Sequence, residues 1–184
     1  MSEPRAFYGE PLATLRTARL VLRPYTAADA DVLQLLLSDQ EVAKQTLTIP
    51  HPYPPGAAAE FIAKQTEWVA AKKQAVWAIT LEGALIGTMS LRIVAEHKRA
   101  EAGYWIARSA WGQGIATEAL RAVIAHGFDV LELYRIEAHH YPENPASGAV
   151  MRKVGMTHEG RLRGVVFRDG VPRDNELYAI LRTD

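Results

Sequence analysis

The chain has no cysteine among its 184 residues. This absence excludes disulfide bonds, a thiolate nucleophile and a cysteine-ligated metal. It also excludes an acyl relay through a cysteine thiol. Because a chain of this size without disulfides is typical of a reducing compartment, we expect a cytoplasmic protein.

The sequence also lacks an excess of charge of either sign and any long apolar run. Twenty-one Lys and Arg residues balance twenty-one Asp and Glu residues, so no overall field attracts the chain to nucleic acid or to an anionic membrane. Nowhere do about 18 apolar residues, the length that predicts a membrane-spanning helix, follow one another. We therefore expect no nucleic-acid partner and no membrane partner, and any anion site must be local.

The length favours one domain, residues 1–184, with residues 1–14 as a flexible N-terminal extension. A strand at residues 19–23 precedes a helix that begins with the capping pair Thr26 and Asp29. A proline-rich loop and a second helix at residues 57–73 follow. The first third of the chain thus reads as one strand and two helices.

The remaining two thirds alternate between strands and helices. Three β-rich runs are followed by the strongest helical periodicity, which begins at Ile115, and then by a short strand. A helix beginning at Asn144 and two strands around Asp169-Gly170 complete the order. This order predicts an α/β (α+β) fold, with a mixed, largely antiparallel sheet of about seven strands and helices on both faces.

A glycine-containing segment lies between a strand and the long helix, where free backbone N–H groups and the helix dipole favour a bound anion. It reads Trp111-Gly112-Gln113-Gly114-Ile115-Ala116-Thr117. A tight turn and helix start without a ligand is an equally weighted alternative. A Walker loop is excluded because Gly-Lys-Ser/Thr is missing, and the dinucleotide fingerprint requires glycine where Thr117 stands.

The segment from Trp111 to Ala116 resembles Arg/Gln-x-x-Gly-x-Gly/Ala, the signature of the GNAT superfamily of acetyltransferases, and departs from it at Trp111. Three further segments resemble the branch that contains ribosomal-protein alanine acetyltransferases (RimJ/RimL-type): residues 17–23, 102–106 and 144–147. The resemblance spans nearly the whole chain. It implies the GNAT fold, acetyl-CoA as cosubstrate and N-acetyltransferase activity.

The resemblance also implies a set of cofactor contacts. The backbone that would bind the pyrophosphate belongs to Gly112, Gln113, Gly114, Ile115, Ala116 and Thr117. In the family, the strand that holds Trp105 and Ile106 splays from its neighbour, so that its free backbone groups pair with pantetheine. Asn144 is a further candidate contact. The alternatives are core packing for the two strand side chains and a helix N-cap for Asn144.

Amine attack on a thioester requires a neutral amine and a proton for the leaving thiolate. The resemblance makes Ser147 the candidate proton donor, because the tyrosine that another branch uses is replaced here by Met151. The glutamate that some relatives use as base corresponds to Val166. Glu101, on the strand leading to the cleft, is therefore the candidate base, with a solvated or ion-paired strand residue as the alternative.

Three residues are candidates for binding the acceptor. Tyr53 lies in the proline-rich loop, and His139 and Tyr141 share one face at the end of a strand. Their alternatives are a surface turn and ordinary strand residues. The adjacent histidines at 139 and 140 point to opposite faces and cannot hold one metal ion in a regular strand, so we expect no metal.

The expected activity is direct acetyl transfer in a ternary complex, from acetyl-CoA to a primary amine of a protein, a peptide or a small molecule. An α-amine is roughly 10% neutral at pH 7 and a lysine roughly 0.04%, so a weak base favours α-amines. The alternatives are a non-catalytic acyl-CoA-binding sensor and a structural domain that has lost the cofactor. The family resemblance makes a monomer or homodimer the expected state.

Overall fold

The computed structural model describes residues 12–71 and 73–184. Residues 1–11 of the expected N-terminal extension lie outside these ranges, whereas Ala13 accepts a 2.8 Å hydrogen bond from the indole of Trp77. The strands are β1 Leu15–Arg16, β2 Leu20–Arg23, β3 Gln74–Leu81, β4 Ala84–Val94, β5 Arg99–Ile106, β6 Arg135–His140, β7 Thr157–Arg168 and β8 Val171–Leu181. The α-helices are α1 Ala30–Leu37, α2 Gln40–Lys44, α3 Ala57–Ala70, α4 Ile115–Asp129 and α5 Pro145–Lys153.

The strands form one sheet in the order β1-β2-β3-β4-β5-β6-β8-β7. Neighbouring strands are antiparallel except β5 and β6, which are parallel. The predicted mixed, largely antiparallel sheet is confirmed. The sheet has eight strands where about seven were predicted, and the additional strand, β1, has only two residues and therefore shows no alternation. The short helix α2 was also missed, and α3 ends at Ala70 rather than at residue 73.

Two apolar cores lie on opposite faces of the sheet. Along β3, Trp77 and Ile79 point into the core beneath α4, and Val76 and Ala78 point into the core beneath α1 and α3. This alternation follows from the two-residue period of a strand. Because both faces of β3 are covered, its side chains are almost continuously apolar. Helices on both faces, as predicted, are confirmed.

The predicted capping pair, Thr26 and Asp29, lies immediately before α1, which covers the core that contains Val76 and Ala78. The Asp29 carboxylate accepts a 2.7 Å hydrogen bond from the Thr26 amide and two 2.8 Å hydrogen bonds from the Arg23 guanidinium. The hydrogen bonds from Arg23, together with those from Thr26, hold the pKa of Asp29 below its usual value, although burial opposes them. The carboxylate thereby joins β2 to the helix that follows it.

The parallel pair β5 and β6 separates part of the way along. Their pairing ends at Ala102 opposite Ala138, although β5 continues along β4 to Ile106 and β6 continues along β8 to His140. A gap therefore opens between their carboxyl ends. Because each strand is followed by a helix, the N-termini of α4 and α5 both lie at this edge of the sheet.

Candidate active site

A continuous cleft of about 1030 Å³ occupies the gap between β5 and β6 and extends beneath α1 and α3. It is lined by Glu101, Trp105, Ile106, Gly112, Gly114, Ile115, Ala116, Thr117, Asn144, Ser147, Tyr53, His139 and Tyr141. Gln113 is the sequence-predicted site residue that does not line it. Its side-chain amide instead donates to the Ser109 carbonyl oxygen at 3.0 Å.

The loop before α4 adopts the backbone conformation that favours glycine. Gly112 and Gly114 have φ angles of 74° and 76°, and Gly114 is the N-cap of α4. A glycine at this position provides no capping side chain, and among the described residues no side chain accepts from the amides of Ile115, Ala116 or Thr117. These N–H groups and the helix dipole are thus directed at the cleft and suit an anion.

The space above the loop is open. A Cβ atom on Gly114 would meet nothing closer than the Arg19 guanidinium, at 3.7 Å. Arg19 is held there by Glu118, whose carboxylate accepts from its Nε at 2.8 Å and from Thr17 Oγ1 at 2.6 Å. Although burial acts in the opposite direction, these hydrogen bonds lower the pKa of Glu118. A cationic side chain therefore stands beside the amides at the start of α4.

The last residues of β5 present main-chain groups to the gap between β5 and β6. The Ala107 amide donates to the Ile86 carbonyl on β4 at 2.8 Å, and successive peptide groups of a strand alternate in direction. The N–H groups of Tyr104 and Ile106 therefore point towards the gap, whereas that of Trp105 points towards β4. The Trp105 side chain packs in the core beneath α1 and α3. The arrangement thus supports Ile106, rather than Trp105, for a main-chain contact with pantetheine.

Asn144 caps helix α5. Its Oδ1 accepts from the Ser147 amide at 3.2 Å, and its Nδ2 approaches the Gln45 carbonyl oxygen at 3.5 Å. The N-cap interpretation of this asparagine is therefore confirmed. The cap fixes the first turn of α5, and with it Ser147, at the edge of the cleft.

The Ser147 hydroxyl contacts a tyrosine that the sequence did not indicate as functional. Tyr104 Oη lies 2.8 Å from Ser147 Oγ and 3.3 Å from the Ser147 carbonyl oxygen. Burial of the ring raises the pKa of Tyr104 to about 12. The available signal was alternation along β5, which places Tyr104 on the opposite face from Trp105. Because Tyr104 and Ser147 are far apart in the sequence, no local pattern predicts the contact between their hydroxyls.

The acceptor side of the cleft holds the candidate base. The Glu101 carboxylate accepts a hydrogen bond from Arg92 on the neighbouring strand, so the ion-paired alternative is realised. His139 and Tyr141 line the same part of the cleft. Within the described chain, His139 Nδ1 and Tyr141 Oη are buried without a hydrogen-bond partner. Orphaned buried polar atoms of this kind call for an explanation, such as an ordered water or a group that reaches them on binding.

Aromatic side chains also line the cleft that contains these polar groups. Tyr53, from the proline-rich loop, lines the cleft beside Phe61 and Trp68 of α3. The rings of Phe61 and Trp68 pack edge to face, with centroids 5.7 Å apart. Burial raises the pKa of Tyr53. The acceptor side therefore combines an apolar wall with a few polar groups, as small-ligand sites generally do.

No group of three or more His, Cys, Asp or Glu side chains within residues 12–71 and 73–184 is arranged to hold a metal ion. No helix in these ranges is long and apolar enough to cross a membrane.

Comparison with known proteins agrees with this geometry. The model of the acetyltransferase (GNAT) domain matches residues 19–157. The uncharacterized N-acetyltransferase YoaA of Bacillus subtilis is 32% identical over 171 residues, which cover 91% of this chain and 96% of YoaA. The ribosomal-protein-serine acetyltransferase of Escherichia coli is 39% identical over 99 residues, covering 53% of this chain and 55% of that protein.

A solved structure extends the likeness to the cosubstrate. Mycobacterium smegmatis RimJ in complex with CoA-disulfide superposes with a TM-score of 0.83 at 26% identity, covering 97% of this chain and 90% of that one. The chain belongs to the GNAT family of acetyltransferases, and its relatives include proteins named as ribosomal-protein acetyltransferases. It is an N-acetyltransferase whose cosubstrate is acetyl-CoA.

Proposed function

We propose that the chain transfers acetyl directly from acetyl-CoA to the α-amine of a protein or peptide, with both substrates bound together. The observation that carries this proposal is the continuous cleft, which joins the amides at the start of α4 to the Glu101, His139 and Tyr141 wall. This cleft has room for acetyl-CoA and the acceptor at the same time. Because the chain has no cysteine, a relay through a cysteine thioester is excluded.

The cofactor would be held mainly by backbone. Gly112 and Gly114 let the loop present the amides of Ile115 to Thr117 to the pyrophosphate, and the left-handed φ of both glycines supports this role. The Ile106 amide, which points into the gap, would bond the pantetheine arm. When bound, acetyl-CoA supplies a thioester carbonyl for the amine and a thiolate leaving group.

Ser147 is the proposed proton donor to that thiolate. It lines the cleft at the first turn of α5, where the Asn144 cap fixes its backbone. The position that would supply an alternative donor is Met151, which has no proton to give and is buried beneath the helix. A hydroxyl donor suffices because a thiol of pKa about 8.5 is a fair leaving group.

Glu101 is the proposed base, acting on the amine directly or through water. Its ion pair with Arg92 keeps the carboxylate in place on the wall of the cleft. A lysine would require about 3 to 4 kcal/mol more for deprotonation than an α-amine, because their pKa values differ by about 2.6. A single carboxylate at the edge of the cleft is therefore better matched to an α-amine.

The names of the relatives support a protein acceptor. The Escherichia coli relatives are a ribosomal-protein-serine acetyltransferase and a ribosomal protein uS5 alanine N-acetyltransferase. We therefore propose a protein N-terminus as the acceptor class and the cytoplasm as its location. A monomer or a homodimer would serve equally, since the cleft described above is complete within one chain.

The proposal is tested with two matched peptides and acetyl-CoA. One peptide has a free α-amine and no lysine, and the other has the same sequence with a blocked α-amine and one lysine. We expect thiol release and mass gain to be faster with the first. Faster lysine acetylation would contradict the acceptor class, and binding of acetyl-CoA without any turnover would instead indicate a non-catalytic sensor.

The base assignment has its own test. Glu101→Gln should lower kcat/KM for the α-amine peptide about tenfold at pH 7. The defect should shrink at pH 9, where an α-amine of pKa about 7.8 is already neutral. Glu159→Gln is the control, because Glu159 is also ion-paired, to Arg135, but does not line the cleft. A defect independent of pH would count against Glu101 as the base.

A further inference from the structure

The Tyr104 and Ser147 hydroxyls form a hydrogen-bonded pair in which either oxygen can be the donor. The contact between the two hydroxyl oxygens is 2.8 Å, and the contact from Tyr104 Oη to the Ser147 carbonyl oxygen is 3.3 Å. Hydrogen bonds between oxygens cluster at about 2.7–2.8 Å and weaken beyond about 3.0 Å. Donation to Ser147 Oγ therefore gives the Tyr104 proton the shorter of its two available contacts.

That placement decides where the serine proton points. When Tyr104 donates to Ser147 Oγ, the serine cannot donate back along the same line, so its own proton points elsewhere. No described residue other than Tyr104 makes a side-chain hydrogen bond with Ser147 Oγ, and Ser147 lines the cleft. The free proton is thus available to a group bound in the cleft.

We propose that Tyr104 is a positioning residue, whose hydroxyl donates to Ser147 Oγ and so presents the Ser147 proton to the departing thiolate. The role rests on the proposed function. As the bond between amine nitrogen and acetyl carbon forms and the bond between carbon and sulfur breaks, the sulfur takes the Ser147 proton. The Tyr104 hydrogen bond stabilises the negative charge that develops on Oγ. Ser147 then regains a proton from solvent, to which Glu101 passes the proton that it takes from the amine.

The chemistry of the tyrosine fits this role. Burial raises the pKa of Tyr104 to about 12, so the phenol stays protonated and acts as a donor across the working pH range. Hydrogen bonds in series polarise one another, which strengthens the donor at the end of the chain. Tyr104 itself packs against the core beneath α4 and α5, so its hydroxyl is held in a fixed direction.

A purely structural role for Tyr104 is the main alternative, because the same contact also attaches α5 to the sheet. The chain offers a matched pair for this question. Tyr178 on β8 accepts a 2.8 Å hydrogen bond from Arg152, near the other end of α5. Tyr178 is buried but does not line the cleft. Tyr178→Phe therefore loosens the same helix without touching the serine.

The test measures kcat, KM for acetyl-CoA, Kd for CoA by calorimetry, and thermal stability in four variants. They are Tyr104→Phe, Ser147→Ala, the double variant and Tyr178→Phe. We expect Ser147→Ala to lower kcat about 100-fold and Tyr104→Phe to lower it about tenfold. KM for acetyl-CoA and Kd for CoA should stay within about twofold of the wild type, because the lost interaction acts only as the thiolate leaves.

The double variant should be no slower than Ser147→Ala alone, because Tyr104 acts only through that serine. Tyr178→Phe should lose stability yet keep wild-type kcat. Multiplicative losses in the double variant, or an equal loss of kcat in Tyr178→Phe, would overturn the positioning role while leaving the proposed function intact. Wild-type kcat in Ser147→Ala would overturn the proposed proton donor as well, and no turnover by the wild type would overturn the proposed function itself.

Discussion

The indole Nε1 of Trp111 donates a hydrogen bond to the carbonyl oxygen of Ile106 at 2.7 Å. This contact closes the turn between β5 and α4. Its acceptor, Ile106, is the last residue of β5 and lines the gap between β5 and β6. Trp111 stands where the family signature has Arg or Gln. The departure from the signature therefore has a structural consequence, since the indole fixes the loop and offers no cationic or amide group to the cofactor.

Trp111→Phe should keep an aromatic ring at this position but lose the hydrogen bond from the indole Nε1 to the Ile106 carbonyl oxygen. We expect the free energy of unfolding to fall by about 1 kcal/mol and the affinity for CoA to fall several-fold, because the loop before α4 is less well fixed. Thermal unfolding and calorimetry measure the two effects. Tyr134→Phe, on an exposed aromatic residue, is the control. Unchanged values for Trp111→Phe would show that the indole contact has no role in shaping the loop.

Tyr141→Phe should separate stability from function. The Tyr141 hydroxyl is buried without a partner among the described residues, and an unsatisfied buried hydroxyl costs about 1 kcal/mol or more. Its removal should therefore raise the free energy of unfolding by about 1 kcal/mol and also raise KM for the acceptor. The hydroxyl is expected to bond the acceptor when it binds.

Tyr25→Phe is the matched comparison for stability, because the Tyr25 hydroxyl is also buried but is bonded to Thr88 Oγ1 at 2.6 Å. This variant should be destabilised. Chemical denaturation of both variants gives the comparison. Destabilisation of Tyr141→Phe to the same extent would mean that its hydroxyl has a partner in the folded chain.

Asp29→Asn should remove a pH-dependent part of the stability. Because the pKa of Asp29 is lower in the folded chain than in the unfolded chain, its contribution is present above the unfolded pKa of about 3.9 and is lost as pH falls through the folded pKa. We expect a loss of about 2 kcal/mol at pH 7, where the carboxylate accepts charge-assisted hydrogen bonds from Arg23.

Denaturant unfolding of the wild type and the variant between pH 7 and pH 2 measures this contribution. The difference between them should shrink below about pH 4. Asp31→Asn, on an exposed residue two positions along the same helix, should have little effect. A difference between wild type and Asp29→Asn that stays constant with pH would contradict the ionic origin of the contribution.

Much of the fold could be predicted because local patterns and global structure agree. The periodicity from Ile115 predicted α4, and the capping pair Thr26 and Asp29 predicted the start of α1. Such agreement between local sequence patterns and the overall fold is what makes a sequence specify one structure. The cleft-lining segments could be predicted because the glycine loop and the Asn144 cap carry short-range signals.

The features that could not be predicted include contacts between residues far apart in the sequence. Tyr104 meets Ser147 across 43 residues of chain, and Arg92 meets Glu101 only because β4 and β5 pair in one particular register. No local pattern encodes either contact. The two-residue strand β1 and the five-residue helix α2 are too short for periodicity to reveal.

The most direct measurement is calorimetric titration of acetyl-CoA into the wild type, Gly114→Trp and Gly83→Trp. All three chains should fold, because a Cβ atom at either position would meet no atom within 3.4 Å, and the left-handed φ strains the two tryptophan variants alike. Gly83 lies in the turn between β3 and β4, outside the cleft. We predict micromolar binding by the wild type and Gly83→Trp, and none by Gly114→Trp, because the indole fills the space above the α4 amides. Equal binding by all three chains would contradict the proposed pyrophosphate site.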